Sequence, residues 1–312
     1  MTERPSSAPH QGAPAVAAVL GAAVLFGTAG TARELGPEAA TAISVGAVRI
    51  AIGTLVLWAV VFAERGVLRR PMVVAGGRVR WWLTVVGGAG VATYTPLFFV
   101  AVDRTGVAVG TVVTIASGPL FAGAIEWLVV RRRPAGRWFL GTAVTIVGSA
   151  VVVLSGAGDA TVDASGVVAA SAAGLGYAVY SLTAKGSIED GMSPTLALAA
   201  PFTVGALVVV AMASTSEFGW LHTGPGLVMA VYLGAFATGL AYVLFGRGLR
   251  GLVPSTAVTL VLAEPVTAAL LAALVLDEPL GAAGWLGVGL VVAGLRTVGA
   301  GDPAPRSTVS AR

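Results

Sequence analysis

Cysteine is absent, histidine occurs only as His10 and His222, and charged residues make up 11% of the 312-residue chain. The first absence excludes disulfides, thiolate metal sites and cysteine nucleophiles. The second leaves no imidazole inside the apolar runs, so neither a metal nor a cofactor is expected. No Walker-type phosphate loop, HExxH or GxSxG occurs either, so ATP is not the direct energy source and no enzyme chemistry is expected. The scarcity of charge sets the class. Soluble domains carry roughly 25% charged residues, whereas 56% of this chain is hydrophobic, the composition of a membrane protein. The 43 glycines fit close helix packing in lipid, because apolar residues dominate between them.

A helix needs about 20 apolar residues to cross a bilayer. Ten such spans are read, at 14–32, 41–62, 82–102, 107–130, 136–154, 165–185, 194–214, 225–246, 252–276 and 280–299. The first ends in small residues, but the basic segment a signal peptide needs is poor, so it is read as a span. The polar tails, 1–13 and 300–312, are expected to be disordered. With the N-terminus inside, the cytoplasmic side receives Arg65, Arg69, Arg70, Arg78, Arg80, Arg131, Arg132, Arg133, Arg137, Lys185, Arg247, Arg250 and Arg296. The opposite side keeps only Arg33 and Arg104 among mostly acidic residues, including Glu34, Glu38, Asp103, Asp159, Asp163, Glu217, Asp277 and Glu278. This positive-inside pattern holds at every turn and places both termini in the cytoplasm. It also assigns the net charge of +4 to a membrane face, with the lipid bilayer as partner and no nucleic acid. Trp81, Trp82, Trp127, Trp138 and Trp285 stand near span ends, where interfacial tryptophan is expected.

The chain also repeats itself. A shift of 146 positions brings Gly88 onto Gly234, Arg104 onto Arg250, Pro119 onto Pro265, Gly141 onto Gly287 and Gly148 onto Gly294. A slightly larger shift brings Phe26 onto Tyr177. The match is partial, since Thr145 meets Val291. Five spans per repeat is odd, so the two repeats, 14–155 and 165–299, must be inverted in the membrane, with a site near the midplane between them.

The segments EPVTAALLAALVLDEPLGAAGWLGVGLVVAGL and SGPLFAGAIEWLVVRRRPAGRWFLGTAVTIVGS close the two halves with the same pattern. An apolar helix contains a proline, and a glycine-rich helix follows. With Arg49 in GAVRIAIGTL and the aromatic GLGYAVYSLTAKG, the chain resembles the EamA-type exporters of the drug/metabolite transporter superfamily over residues 14–299. The resemblance implies an all-α membrane protein of ten helices in two inverted five-helix repeats. It further implies a multi-pass transporter of the bacterial plasma membrane, an exporter of small metabolites or amino acids, or alternatively of drugs. One departure stands out: Arg132 occupies the place where the family often has a glutamate, and Glu126 appears earlier.

Three ionisable residues fall inside the spans, and such residues are functional candidates by default. Glu264 is at the midplane, where it either faces a cavity or pairs with Arg49. Arg49 lies in the outer half of the second helix. Glu126 is about one turn from the Arg131–Arg133 cluster and is read as structural. Thr267 shares a helical face with Glu264 by spacing. Tyr94, Tyr177 and Tyr180 are mid-span, and cavity walls are expected there, with Thr28 and Thr31 extending the polar lining. Pro119 and Pro265 interrupt the helical ladder and are read as hinges, Pro265 by depriving the Val261 carbonyl of its partner. Gly141, Thr145 and Ser149 form a small-residue ridge, a surface for helix packing or for a homodimer. Arg49 suits a carboxylate and Glu264 an amine of a small-molecule substrate, provided both face one cavity.

Overall fold

The computed structural model describes residues 12–64, 73–74, 77–78, 80–156, 163–277 and 280–300. Of the tails expected to be disordered, 1–13 and 300–312, residues 1–11 and 301–312 lie outside the described residues, as do Arg65, Arg69, Arg70, Asp159 and Glu278, while Gly12 and Ala13 already belong to α1. Among the described residues nine helices are long and apolar enough to cross a membrane. They are α1 (Gly12–Glu34), α2 (Ala42–Ala63), α3 (Trp81–Leu128), α4 (Gly136–Ser155), α5 (Ala164–Glu189), α6 (Pro194–Thr215), α7 (Gly224–Gly251), α8 (Pro254–Val275) and α9 (Ala282–Gly299). A short antiparallel ladder, pairing Val73 with Arg78 and Val74 with Gly77, is the other regular piece between α2 and α3.

The boundaries follow local chemistry. Thr41, Asp163, Ser193 and Thr223 each accept a backbone N–H of the first turn that follows them, satisfying donors that have no partner inside the helix. Pro194 and Pro254 occupy first turns, where a missing N–H costs nothing. The spans read at 82–102 and 107–130 are the two arms of α3, which runs 48 residues across a kink. Gly106 breaks it with φ 77° and ψ 162°, a conformation that favours glycine. Pro119 leaves the helical dihedrals undisturbed. At Pro265 the expectation needs correction. The chain tightens into a 3₁₀ turn at Val261–Ala263, and the Glu264 N–H donates to the Val261 carbonyl, which therefore keeps a partner.

Glycines set the helix contacts. Gly141 of α4 faces Gly294 of α9, and Gly148 faces Gly287. A methyl group on Gly148 would stand 2.9 Å from the Gly287 carbonyl oxygen, and one on Gly287 would stand 2.8 Å from that of Gly148. These partners exchange under the 146-residue offset, and the two helices meet antiparallel. The ridge of Gly141, Thr145 and Ser149 is thus a packing surface within the chain. Likewise Gly88 of α3 abuts Val204 of α6, while its offset partner Gly234 of α7 abuts Ile52 of α2. Each half so contributes helices to the other's packing. Outward faces carry exposed Leu55, Val85, Leu140, Leu207, Val228 and Leu286, the apolar surface a bilayer covers. Trp138 departs from the interfacial expectation. It is 4% exposed and lies against Gly123, whereas Trp81, Trp82, Trp127 and Trp285 are exposed.

Candidate functional site

A cavity of about 1380 Å³ lies between the halves. Its mouth is formed by the end of α1 (Arg33, Glu34), the break at Gly106, the end of α4 (Ser155, Gly156) and the α8–α9 turn (Asp277, Gly281). None of its lining comes from the turns on the other face, where Val16 near the start of α1 meets Gly299 at the end of α9. Among the described residues its lining therefore reaches one face only, the face away from the described chain ends.

Aromatic residues build the floor. Tyr177 and Tyr180 of α5 are a helical turn apart, with ring centroids at 5.1 Å. The Tyr180 hydroxyl donates to that of Tyr242 on α7 at 3.0 Å. Phe202 of α6 packs on Tyr242 at 4.3 Å, and Phe26 does so at 5.0 Å from α1. Tyr94 of α3 completes the wall, 6.0 Å from Tyr177 and stacked on Phe98 at 6.2 Å. Phe26 and Tyr177, paired by the internal repeat, both line the cavity.

Arg49 and Glu264 reach this cavity from different halves. They do not pair, since no oxygen–nitrogen contact within 4.0 Å joins them. Arg49 is instead held by α7, where residues Tyr232–Leu240 form a π-helical stretch. Its Nε donates to Thr238 Oγ1 at 2.8 Å, and one Nη donates to the Ala237 carbonyl at 3.3 Å. Thr238 in turn donates to the Leu233 carbonyl five residues back, at 2.8 Å. The wider π turn brings both acceptors to the guanidinium, and Gly53 of α2 allows the approach, because a methyl there would meet Thr238. Arg49 retains N–H donors beyond these two bonds, in the planar fork that suits a carboxylate. Glu264 begins the outer segment of α8 and is part-exposed on the cavity, without a hydrogen bond or ion pair to the described residues.

Of the residues expected at the site, Glu264, Arg49, Tyr94, Tyr177, Tyr180, Pro265 and Thr31 line the cavity. Thr267 does not. It lies against Gly27 of α1, where a methyl would stand 2.6 Å from its Cβ. Beyond Glu264 the lining of α8 is Pro265, Ala268, Ala269, Ala272 and, just past its end, Leu276, so Glu264 stands at one edge of the lining face. A three-residue step rotates the other way around a helix, onto α1. Thr28 is also outside the lining and accepts the Tyr232 hydroxyl at 2.9 Å. Thr238, Phe202 and Tyr242 were not anticipated. Phe202 and Tyr242 gave no sequence signal beyond being aromatic.

Glu126 is buried, and Ser255 of the other half is bonded to it. Its carboxylate accepts the Ser255 hydroxyl and, at 3.4 Å, the Ser255 backbone N–H in the first turn of α8. Nearby, buried Lys185 donates to the Leu249 carbonyl at 2.8 Å and to that of Arg250 at 3.4 Å. Outside the spans, Arg80 makes a two-pronged contact with Asp190 at 2.8 and 2.9 Å, and this bond raises its pKa. Asp163 is lowered from the usual carboxylate value by the Ser165 hydroxyl and by two backbone N–H groups.

The EamA-like transporter family matches residues 13–154 and, separately, 164–299. Over 293 residues the chain is 36% identical to the uncharacterized transporter YwfM of Bacillus subtilis, covering 94% of this chain and 95% of that one. It is 31% identical over 243 residues to the uncharacterized protein PA1977 of Pseudomonas aeruginosa, covering 77% of each. A crystal structure at 22% identity superposes with a TM-score of 0.76 over 91% of this chain and 95% of its own, a likeness of fold.

Proposed function

The chain belongs to the EamA-like transporter family, and from that premise we propose that it is a secondary exporter of small metabolites or amino acids across a bacterial plasma membrane. In this reading α3 crosses twice, once on each side of Gly106, giving ten spans. The two repeats are inverted, and both termini are cytoplasmic. The reciprocal glycine contacts of α4 with α9 support the inversion. The cavity would then be caught open to the outside, and transport would proceed by alternating access, with no covalent step.

The observation that carries the reading is the shared cavity of Arg49 and Glu264. Arg49 offers a fixed fork for a carboxylate, and Glu264 offers a carboxylate for an amine. The aromatic floor between the halves would hold the apolar part of the substrate. Pro265, next to the 3₁₀ turn, and its offset twin Pro119 are the hinges. A drug-efflux activity of the same fold is the second reading, favoured by the aromatic wall alone.

Transport into proteoliposomes with amino acids, other small metabolites and cationic dyes separates the two. For a zwitterionic substrate, Glu264→Gln and Arg49→Ala should each lower uptake efficiency about 10- to 100-fold, the effect of losing one charge-assisted contact. Dyes that lack a carboxylate should be indifferent to Arg49→Ala. Normal transport of every substrate by both correctly folded variants would refute the site.

A further inference from the structure

The contacts that close the cavity's blind side differ from their counterparts at its mouth, and one difference falls on a pair of helix ends. On the blind side Glu126, at the end of the second arm of α3, is bonded to Ser255, at the start of α8. The 146-residue offset carries Glu126 onto Ala272 and Ser255 onto Val109. At the mouth, Ala272 and Val109's neighbour Ala108 both line the open cavity. The same two helical elements are therefore joined through a carboxylate on one side and flank an opening on the other. No carboxylate or hydroxyl stands at the twin positions.

Physical chemistry gives the joined side its strength. Glu126 accepts from the first turn of α8, where unsatisfied N–H groups and the positive end of the helix favour a carboxylate. Lys185 sits against the carbonyls that end α7, the negative end. The α7–α8 connection, Leu252–Val253, is buried between these two opposite charges. Both bonds must be remade if α8 is to leave α3 there. The mouth has only Ala272 and Val109 at the corresponding pair.

We propose that Glu126 and Ser255 form a latch that holds the blind face closed and biases the protein toward the conformation open at the other face. This rests on the alternating-access reading, but it concerns which face is open and not what is carried. The absence of native cysteine makes the test direct. In the full-length protein in membranes, Val109→Cys and Ala272→Cys are introduced together, and Ala268→Cys alone, a cavity position. With the latch intact, the pair should resist oxidative cross-linking, and the single cysteine should react with a membrane-impermeant thiol reagent added on the mouth side. Adding Glu126→Ala should shift the equilibrium about tenfold toward closure of the mouth, as expected for one charge-assisted bond. Cross-linking would rise and labelling of the single cysteine would fall. Ser255→Ala, a smaller change, should do the same and decides the matter if Glu126→Ala does not reach the membrane. Unchanged or reduced cross-linking with Ser255→Ala would overturn the latch. Because neither readout involves substrate, this result stands apart from any failure to find transport.

Discussion

At the scale of single residues, the arrangement of Arg49 explains how one charge can be kept at membrane depth and still be available. A part-buried guanidinium needs acceptors, yet a full carboxylate partner would consume the fork. Thr238 and the Ala237 carbonyl satisfy two of its donors without neutralising it. Thr238→Val keeps the side-chain shape and removes both the acceptor for Arg49 and the donor to Leu233. Uptake of a carboxylate-bearing substrate should then weaken about 5- to 10-fold, chiefly through KM, less than on losing Arg49 itself because the guanidinium stays and only its positioning bond is removed. Thr238→Ser should retain most of the activity, and an equal loss in both variants would remove Thr238 from the site. Arg49 and Glu264 were legible in the sequence because a charge inside an apolar run is conspicuous. Thr238 was not. It is one small polar residue among many, and the π turn that aims it at Arg49 changes the helical period on which face assignments depend. Thr267 failed for a related reason, since Glu264 stands at the edge of the cavity-lining face of α8 and a step of three residues carries Thr267 off that edge.

At the scale of elements, glycine positions distinguish packing from permissiveness. A side chain at Gly294 would stand 2.7 Å from both the Gly141 carbonyl oxygen and the Thr145 nitrogen, whereas Gly289, on the same helix, has open space around it. Gly294→Val should therefore cost about 1–3 kcal/mol by overpacking. Gly289→Ala should be neutral or stabilise by up to about 1 kcal/mol through helix propensity. Thermal unfolding in detergent measures both, and equal melting temperatures would mean the α4–α9 contact is not tight. The hinge at Pro265 belongs to this scale as well. The segment of α8 that follows it is thinly packed, and Pro265 is its one buried residue. Pro265→Ala gives Val261 a normal helical partner at the 3₁₀ turn and should slow turnover several-fold with a smaller change in KM, because it trims one ring from the wall and leaves Arg49, Glu264 and the aromatic floor in place. The apolar runs made the helices legible, and the charged pair Asp103 and Arg104 marked the joint between the spans read at 82–102 and 107–130, where the structure breaks at Gly106. Hydropathy did not show how short that break is, a single residue outside helical dihedrals, nor the 3₁₀ turn before Pro265.

At the scale of the whole molecule, the question is whether the two arms of α3 cross the membrane separately. At about 1.5 Å per residue, a 48-residue helix would be some 70 Å long, more than twice a hydrocarbon core of about 30 Å. The break at Gly106 falls beside Asp103 and Arg104, both exposed, as a turn outside the bilayer requires. The arms also take different neighbours. Val91 on the first arm abuts Gly205 of α6, while Ala122 on the second clusters with Val258 of α8. Two crossings make ten spans and leave the start of α1 and the end of α9 on one face, as the contact of Val16 with Gly299 suggests. One crossing would make nine and separate them. Arg104→Cys should therefore react with an impermeant thiol reagent applied outside intact cells. A cysteine appended after Arg312 should react only once the cells are opened. Labelling of both from the same side would overturn the ten-span topology, and with it the inversion of the repeats on which alternating access depends.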